Sequence, residues 1–123
     1  MRALVIDDSR AMRMIISKIL REDGFEVFEA QHGRDGLDKL TETGPLDLTL
    51  VDWNMPEMNG FEFLLAVRAD QRFDSMRVMM VTTETEIEQM AQALEAGANE
   101  YVMKPFTRAS IHEKLELMGM ELT

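Results

Sequence analysis

Residues 48–60 read LTLVDWNMPEMNG, and this stretch decides how the chain folds. It opens with a short apolar run, residues 48–51, that stops at Asp52. A run of this length is too short for a buried helix and is typical of a strand in a parallel sheet covered on both faces. Asn59 with Glu62 has the spacing of a capping box, which predicts that a helix begins directly after the strand.

The same arrangement recurs on both sides of this stretch. Further apolar runs lie at residues 3–6, 25–28, 78–81 and 101–103. The segments between them have helical periodicity, as in Met12, Ile15, Ile16, Ile19 and Leu20 or in Ile87, Met90, Ala91 and Leu94. Thr85 with Glu88 predicts a second capping box, and Thr107 predicts the cap of the last helix. Glycines at 24, 44, 97 and 119 predict helix ends.

These signals predict five strands alternating with five helices. We expect strands near residues 2–7, 25–29, 47–52, 77–82 and 100–103, and helices near 9–23, 34–43, 60–71, 86–96 and 107–118. Such alternation is typical of an α/β fold with a single doubly wound parallel sheet. No linker or low-complexity tract interrupts the pattern, so we expect one domain over residues 1–123, without a separate output domain.

Composition excludes several classes of function. The 23 acidic and 13 basic residues give a formal net charge of -10, which disfavours binding to nucleic acids or anionic lipid surfaces. The absence of cysteine excludes disulfides, thiolate metal sites and thiol catalysis. The apolar run at the N-terminus is too short for a signal peptide, and no segment is long enough for a membrane span. We therefore expect a cytoplasmic protein with no membrane insertion.

Polar residues directly follow four of the apolar runs, at the carboxyl ends of the predicted strands. Asp7 and Asp8 follow the first run, Asp52 the third, Thr82 the fourth and Lys104 the fifth. In an open parallel sheet, ligands bind in the crevice outside the carboxyl ends of the strands. The fold would therefore bring these five residues, which are distant in sequence, to one edge of the sheet.

Three carboxylates in one crevice need positive charge beside them. At about 4 Å and an effective dielectric near 20, each pair repels by roughly 4 kcal/mol. Lys104 and a bound cation are the candidates for compensation, and oxygen-only ligands favour a hard ion such as Mg²⁺. A carboxylate, a cation, a hydroxyl and an ammonium around one crevice have the components of a phosphoryl-transfer site.

The same residues carry a resemblance to a known family. Asp7-Asp8, the segment DWNMP at 52–56 with Gly60, Val81-Thr82 and the segment YVMKPF at 101–106 together resemble the response-regulator receiver family. The resemblance covers the whole chain and is strongest to the stand-alone chemotaxis (CheY-like) type. It implies the flavodoxin-like strand order 2-1-3-4-5, for which a chemotaxis member of this family is a standard example.

The resemblance also implies roles for the acidic residues. Asp52 would be the phosphoacceptor, forming an aspartyl phosphate. Asp8 and Asp52 would be direct Mg²⁺ ligands with the backbone carbonyl of Asn54, and Asp7 would act partly through water.

Further roles implied by the resemblance concern the neighbouring segments. Lys104 would contact the phosphoryl group and precede a cis bond to Pro105. Thr82 would move its hydroxyl toward a phosphoryl oxygen, and Tyr101 would change rotamer with it.

Three residues would tune the lifetime of the phosphoryl group. The family places tuning positions at Asn54 and Glu84. The β-branched Thr83 stands where chemotaxis relatives have a smaller residue, and we expect it to obstruct the attacking water or a small phosphodonor.

The implied partners are a histidine kinase as phosphodonor and a downstream target protein. The target would dock on the surface formed by the fourth helix, fifth strand and fifth helix, in a chemotaxis pathway or a phosphorelay. Residues 84–103 contain five glutamates and no basic residue. These glutamates are either a solvated helix start or a docking surface for a basic patch.

In this interpretation the protein is a switch that catalyses only its own phosphorylation and dephosphorylation. Two alternatives are a Mg²⁺-dependent phosphohydrolase with an aspartyl-phosphate intermediate and a pseudo-receiver that is never phosphorylated. Such hydrolases usually carry a second aspartate two residues after the nucleophile, where this chain has Asn54. The complete set of Asp7, Asp8, Asp52, Thr82 and Lys104 argues against the pseudo-receiver.

Overall fold

Five strands and five α-helices alternate along the described part of the chain. The computed structural model describes residues 1–121, without the side chains of Glu84 and Thr85. The strands are β1 (Arg2–Ile6), β2 (Glu26–Ala30), β3 (Leu48–Asp52), β4 (Arg77–Thr82) and β5 (Glu100–Met103). The helices are α1 (Arg10–Glu22), α2 (Gly33–Thr43), α3 (Gly60–Arg68), α4 (Met90–Glu95) and α5 (Arg108–Leu117). Two 3₁₀ segments, Gln71–Phe73 and Glu84–Gln89, precede β4 and α4.

All five strands are parallel and form one sheet in the order β2-β1-β3-β4-β5. The predicted doubly wound fold and its strand order are therefore confirmed. Every strand ends at the same edge of the sheet, and the order reverses between β1 and β3. That reversal creates the crevice where α/β proteins of this type bind ligands.

The sheet separates two apolar cores. This explains why apolar and polar residues do not alternate along the strands. In β1, Leu4 and Ile6 belong to the core on one face, while Ala3 and Val5 belong to the core on the other. The first core includes Leu40, Phe63, Leu64 and Val67 from α2 and α3. The second includes Ile16, Leu20, Ile111 and Leu115 from α1 and α5. Burial on both faces favours apolar residues at consecutive positions.

Most of the predicted helix ends are confirmed. Gly24, Gly44, Gly97 and Gly119 all have positive φ, as expected for residues that end helices. At the start of α3, Asn59 and Glu62 form the predicted capping box. The hydroxyl of Thr107 accepts a hydrogen bond of 3.0 Å from the amide of Ser110 and caps α5.

The start of the fourth helix differs from the prediction. A capping box joins Thr83 and Glu86, and residues 84–89 form 3₁₀ turns before α4 begins. The predicted box of Thr85 with Glu88 lies outside the described part of the chain, which does not include the Thr85 side chain. Because a 3₁₀ helix has three residues per turn, its apolar face recurs at every third position. Ile87 in this segment and Met90 directly after it accordingly pack toward the core, and Ala93 of α4 does so as well. Ala91 and Leu94, which the 3.6-residue period assigns to the buried face, are exposed.

Two further helix predictions need correction. The third helix ends at Arg68 instead of residue 71, because the side chain of Asp70 accepts from the amide of Arg72 and caps a separate 3₁₀ turn. Ile15 lies outside the buried face of α1, with half of its surface exposed.

Within the described residues, no helix combines the length and the apolar character that a bilayer span requires.

Candidate functional site

The carboxyl edge of the sheet gathers the polar residues predicted from the sequence. Asp52 is the last residue of β3 and pairs in register with Val81, next to Thr82 at the end of β4. Thr82 in turn pairs with Met103, and Lys104 follows. The amide of Lys104 donates to the carbonyl of Thr82 at 2.7 Å, which ties the ends of β4 and β5 together.

Asp7, Asp8 and Asp52 form one acidic cluster. One carboxylate oxygen from each lies within 4.8 Å of the others. Asp7 and Asp52 are 1 % and 5 % exposed, whereas Asp8 is exposed. The cluster therefore has a buried base of two carboxylates and one carboxylate at its rim.

The hydrogen bonding of Asp7 indicates that the cluster fits a cation. Its Oδ1 accepts from the amide of Ser9 at 2.8 Å, but its buried Oδ2 has no hydrogen-bond partner among the described residues. The Lys104 ammonium lies 3.6 Å from this oxygen, beyond hydrogen-bond distance, and a buried carboxylate oxygen without a hydrogen bond is costly. A hard divalent cation prefers such oxygen donors, and the remaining donors are also carboxylates. Asp7, Asp8 and Asp52 thus meet the chemical requirements of a Mg²⁺ site.

Lys104 is the cation that the protein itself supplies. Its Nζ lies 3.2 Å from Oδ1 of Asp52 and 3.6 Å from Oδ2 of Asp7. Burial lowers the pKa of Lys104, but the charges of Asp52 and Asp7 more than reverse this, so its pKa is raised above the ordinary value. The ammonium therefore remains charged at neutral pH.

The two buried carboxyl groups are less acidic than ordinary aspartates. Burial and the neighbouring Asp7 charge raise the pKa of Asp52 from 3.8 to about 6, although Lys104 opposes the shift. Burial also raises the pKa of Asp7, against the Ser9 hydrogen bond and the Lys104 charge. At pH above about 6 Asp52 is a carboxylate, the form that acts as a nucleophile.

Thr82 is fully buried, and its hydroxyl is directed to the turn after β4. Oγ1 lies 3.2 Å from the carbonyl of Thr83 and 3.4 Å from Oε1 of Glu86. No hydrogen bond joins Thr82 to Asp52 in the part of the chain that the structure describes. The hydroxyl is close in the fold to the acidic cluster but is bonded elsewhere.

Comparison with known proteins agrees with this geometry. The family model described as the response regulator receiver domain matches residues 3–116. This chain belongs to the response regulator receiver domain family. CheY1 of Helicobacter pylori (strain J99) is 44 % identical over 119 residues, covering 96 % of each chain. A CheY homolog of Campylobacter jejuni is 45 % identical over 117 residues, covering 94 % of this chain and 90 % of the relative.

Solved structures support the same assignment of the receiver domain. The chemotaxis protein CheY4 of Vibrio cholerae has a TM-score of 0.87 and 34 % identity, covering 95 % of this chain and 97 % of that protein. The relatives named in both comparisons are chemotaxis regulators of the CheY type. Receiver domains of this type are signalling switches and not classical enzymes, and they bind Mg²⁺ at an acidic pocket.

Pro105, Tyr101 and Thr83 are three further residues of the predicted site, and the structure describes their conformation and contacts. The Lys104-Pro105 bond is cis, as the resemblance implies. Tyr101 is half-buried, and the ammonium of Lys114 lies 4.8 Å from the centre of its ring. The hydroxyl of Thr83 contacts Oε1 of Glu86 at 3.1 Å, so this side chain takes part in the helix cap.

The roles of Glu84 and Asn54 in tuning and in metal binding stay predictions. The side chain of Glu84 lies outside the described residues. Asn54 is exposed in the loop after β3, and its carbonyl remains a predicted ligand.

The contacts of Arg13 and Glu86 at the receiver site were missed in the sequence, and the close approach at Gly60 gives a reason for a glycine that the resemblance included. Arg13 donates to the carbonyl of Asp7 at 2.6 Å and lies 3.4 Å from Glu29, so it fixes the loop that carries the acidic pair. Gly60 allows α3 to approach β3, since a Cβ there would lie 2.5 Å from the carbonyl oxygen of Asp52. Glu86 contacts Thr82. Glu86 had a signal in its capping-box spacing from Thr83, whereas no local pattern indicates the contact of Arg13.

Proposed function

We propose that this receiver domain is a phosphorylation switch that accepts a phosphoryl group on Asp52 in the presence of Mg²⁺. The observation that carries the proposal is the position of the Asp52 carboxylate. It lies within the three-carboxylate cluster and 3.2 Å from the Lys104 ammonium. The 5 % exposure of Asp52 limits access to a donor that reaches the carboxyl edge of the sheet.

The proposed donor is the phosphohistidine of a histidine kinase. The carboxylate of Asp52 attacks phosphorus, so that a P–O bond forms while the P–N bond breaks and its electron pair returns to the imidazole. Lys104 neutralises part of the negative charge that two anions bring together. Asp7, Asp8 and Asp52, with the carbonyl of Asn54, would hold Mg²⁺, which when bound supplies further charge neutralisation to the phosphoryl oxygens.

The proposed output is the docking of a second protein. Thr82 and Tyr101 lie at the end of β4 and in β5, next to α4 and α5, and would transmit the change at Asp52 to that surface. The CheY-type relatives favour a chemotaxis target over a further member of a phosphorelay. The proposal includes no enzymatic turnover beyond phosphorylation and dephosphorylation of Asp52 itself.

The test is phosphorylation by acetyl phosphate, followed by intact mass. We expect the gain of one phosphoryl group with Mg²⁺ and none when the metal is chelated. Asp52→Asn should abolish the gain, whereas Asp38→Asn, which removes an exposed aspartate of α2, should leave it unchanged. Full phosphorylation of Asp52→Asn, or phosphorylation of the wild type without Mg²⁺, would contradict the proposal.

A further inference from the structure

Glu86 contacts the side chain that the proposed switch requires. The hydroxyl of Thr82, buried at the end of β4, lies 3.4 Å from Oε1 of Glu86. Its second neighbour is the carbonyl of Thr83, at 3.2 Å. Thr83 caps the 3₁₀ segment Glu84–Gln89 before α4, and Glu86 lies in the first turn of that segment.

The carboxylate oxygen of Glu86 is held in place independently of Thr82. The same Oε1 accepts from the amide of Thr83 at 3.1 Å and contacts the hydroxyl of Thr83 at 3.1 Å. The amide of Glu86 donates to the carbonyl of Thr83 at 3.0 Å, which closes the turn. The capping box therefore fixes an acceptor beside Thr82.

A hydroxyl has one proton to donate. While that proton is directed to Glu86 and the carbonyl of Thr83, it is not available to an oxygen at Asp52. We propose that Glu86 is a positioning residue that holds the Thr82 hydroxyl toward the 83–86 turn and so opposes its use at the phosphoacceptor. This inference rests on the proposed function, because it assigns Thr82 a role in phosphorylation.

Two other properties of Glu86 have to be separated from this role. Its negative charge would repel an anionic phosphodonor, and its cap stabilises the start of the segment. Glu86→Gln removes the charge but keeps an acceptor oxygen, whereas Glu86→Ala removes both. A positioning role therefore predicts that the two variants differ, while a purely electrostatic role predicts that they are alike.

The first measurement needs no phosphorylation. With ¹³C-methyl-labelled threonine, three-bond couplings report the χ1 rotamer of Thr82 in the unmodified protein. We expect a single rotamer in the wild type, in Glu86→Gln and in the control Glu88→Ala, which alters an exposed glutamate of the same segment. Glu86→Ala should show averaging between rotamers. An unchanged single rotamer in Glu86→Ala would overturn the inference, because the carbonyl of Thr83 would then suffice.

The second measurement is the rate of phosphorylation by acetyl phosphate with Mg²⁺. The 3.4 Å contact is longer than the 2.7–2.8 Å typical of O–H···O bonds, so we expect a modest effect. Glu86→Ala should react roughly 3- to 10-fold faster than Glu86→Gln, and the difference should vanish in a Thr82→Ala background. Equal rates for the two variants, or a difference that persists without Thr82, would overturn the inference. A wild type that takes no phosphoryl group would refute the proposed function, and the rotamer measurement would still decide the role of Glu86.

Discussion

The ionised, buried carboxylate of Asp52 lowers the stability of the metal-free protein. Its raised pKa means that the folded state binds its proton more tightly than the unfolded chain, where the value is near 3.8. Stability therefore falls as pH rises from about 4 to about 6, and the cost is complete above that range. In the proposed function the carboxylate has to be ionised to react, so this cost would be retained for phosphorylation.

We predict that Asp52→Asn stabilises the metal-free protein at pH 7.5. The neutral amide removes the buried charge, and the pKa difference from 3.8 to about 6 sets an upper limit of about 3 kcal/mol on the gain. Because this shift already includes the favourable Lys104 contact, about 1–3 kcal/mol is the expected gain. The gain should shrink as pH falls through 6 toward 4, because the wild-type carboxyl group becomes protonated there.

Urea unfolding at several pH values with a chelator present measures this difference. Asp38→Asn is the matched control, since it makes the same substitution at an exposed position of α2. A stabilisation that is equal at pH 4 and pH 7.5 would show that the effect does not come from ionisation of Asp52.

The sequence predicts the common position of the site residues but not how deeply each one is buried. Asp7, Asp8, Asp52, Thr82 and Lys104 each follow an apolar run, so the strand ends alone predict their common edge. The difference in burial between Asp7 and Asp8 was not predictable, because it depends on how the loop after β1 turns. That loop is fixed by the Arg13 and Ser9 contacts of Asp7, which no local pattern indicates.

At the scale of elements, the segment before α4 shows the limit of periodicity. The five strands and the order of the helices followed from short apolar runs and glycines, which are local signals. The 3₁₀ start of the fourth helix did not, since both Thr83 with Glu86 and Thr85 with Glu88 have capping-box spacing. The box of Thr83 with Glu86 depends on where β4 ends, and the sheet register sets that end at Thr82.

The glutamates of residues 84–103 make different contacts. Glu86 belongs to the capping box, and Glu100 lies 3.3 Å from Lys114. Glu88 and Glu95 are exposed and form no ion pair with any described residue. A docking surface for a basic partner would therefore depend on Glu88 and Glu95 more than on the other glutamates with described side chains.

Arg68 links three elements that sequence analysis treats separately. From the end of α3, its guanidinium donates to the carbonyls of Phe73, Met76 and Gly97 at 2.8, 2.7 and 3.0 Å. It also donates to Oδ1 of Asn99 at 3.0 Å. These bonds join α3 to the start of β4 and to the turn before β5.

We predict that Arg68→Lys lowers the free energy of unfolding by about 2–4 kcal/mol. An ammonium cannot reproduce the planar fork of donors, so part-buried carbonyls lose their partners. Urea denaturation measures the loss, and Arg34→Lys at an exposed position of α2 is the control, with no measurable change expected. An Arg68→Lys protein as stable as the wild type would show that water replaces these bonds without cost. Phosphorylation of Asp52 should persist, because Arg68 has no contact with the acidic cluster.

For the whole molecule, the net charge of -10 complicates any test of metal binding. A divalent cation stabilises a strongly acidic protein by screening its self-repulsion, without a specific site. Specific binding adds stability by mass action, which depends on the affinity of one site. The two effects can be separated, because screening follows ionic strength and the mass-action effect follows particular carboxylates.

We predict that Mg²⁺ raises the melting temperature beyond what NaCl does at equal ionic strength. At ten times the dissociation constant, a single site adds about 1.4 kcal/mol, which for a domain of this size is roughly 4–8 °C. Asp8→Asn should lose most of this increment while retaining the response to NaCl, because Asp8 is exposed at the rim of the cluster. Asp38→Asn changes the net charge equally but lies outside the cluster, so it should keep the increment. If both variants lost the Mg²⁺ increment to the same extent, the stabilisation would come from screening of the whole molecule, and the cluster of Asp7, Asp8 and Asp52 would not act as a metal site.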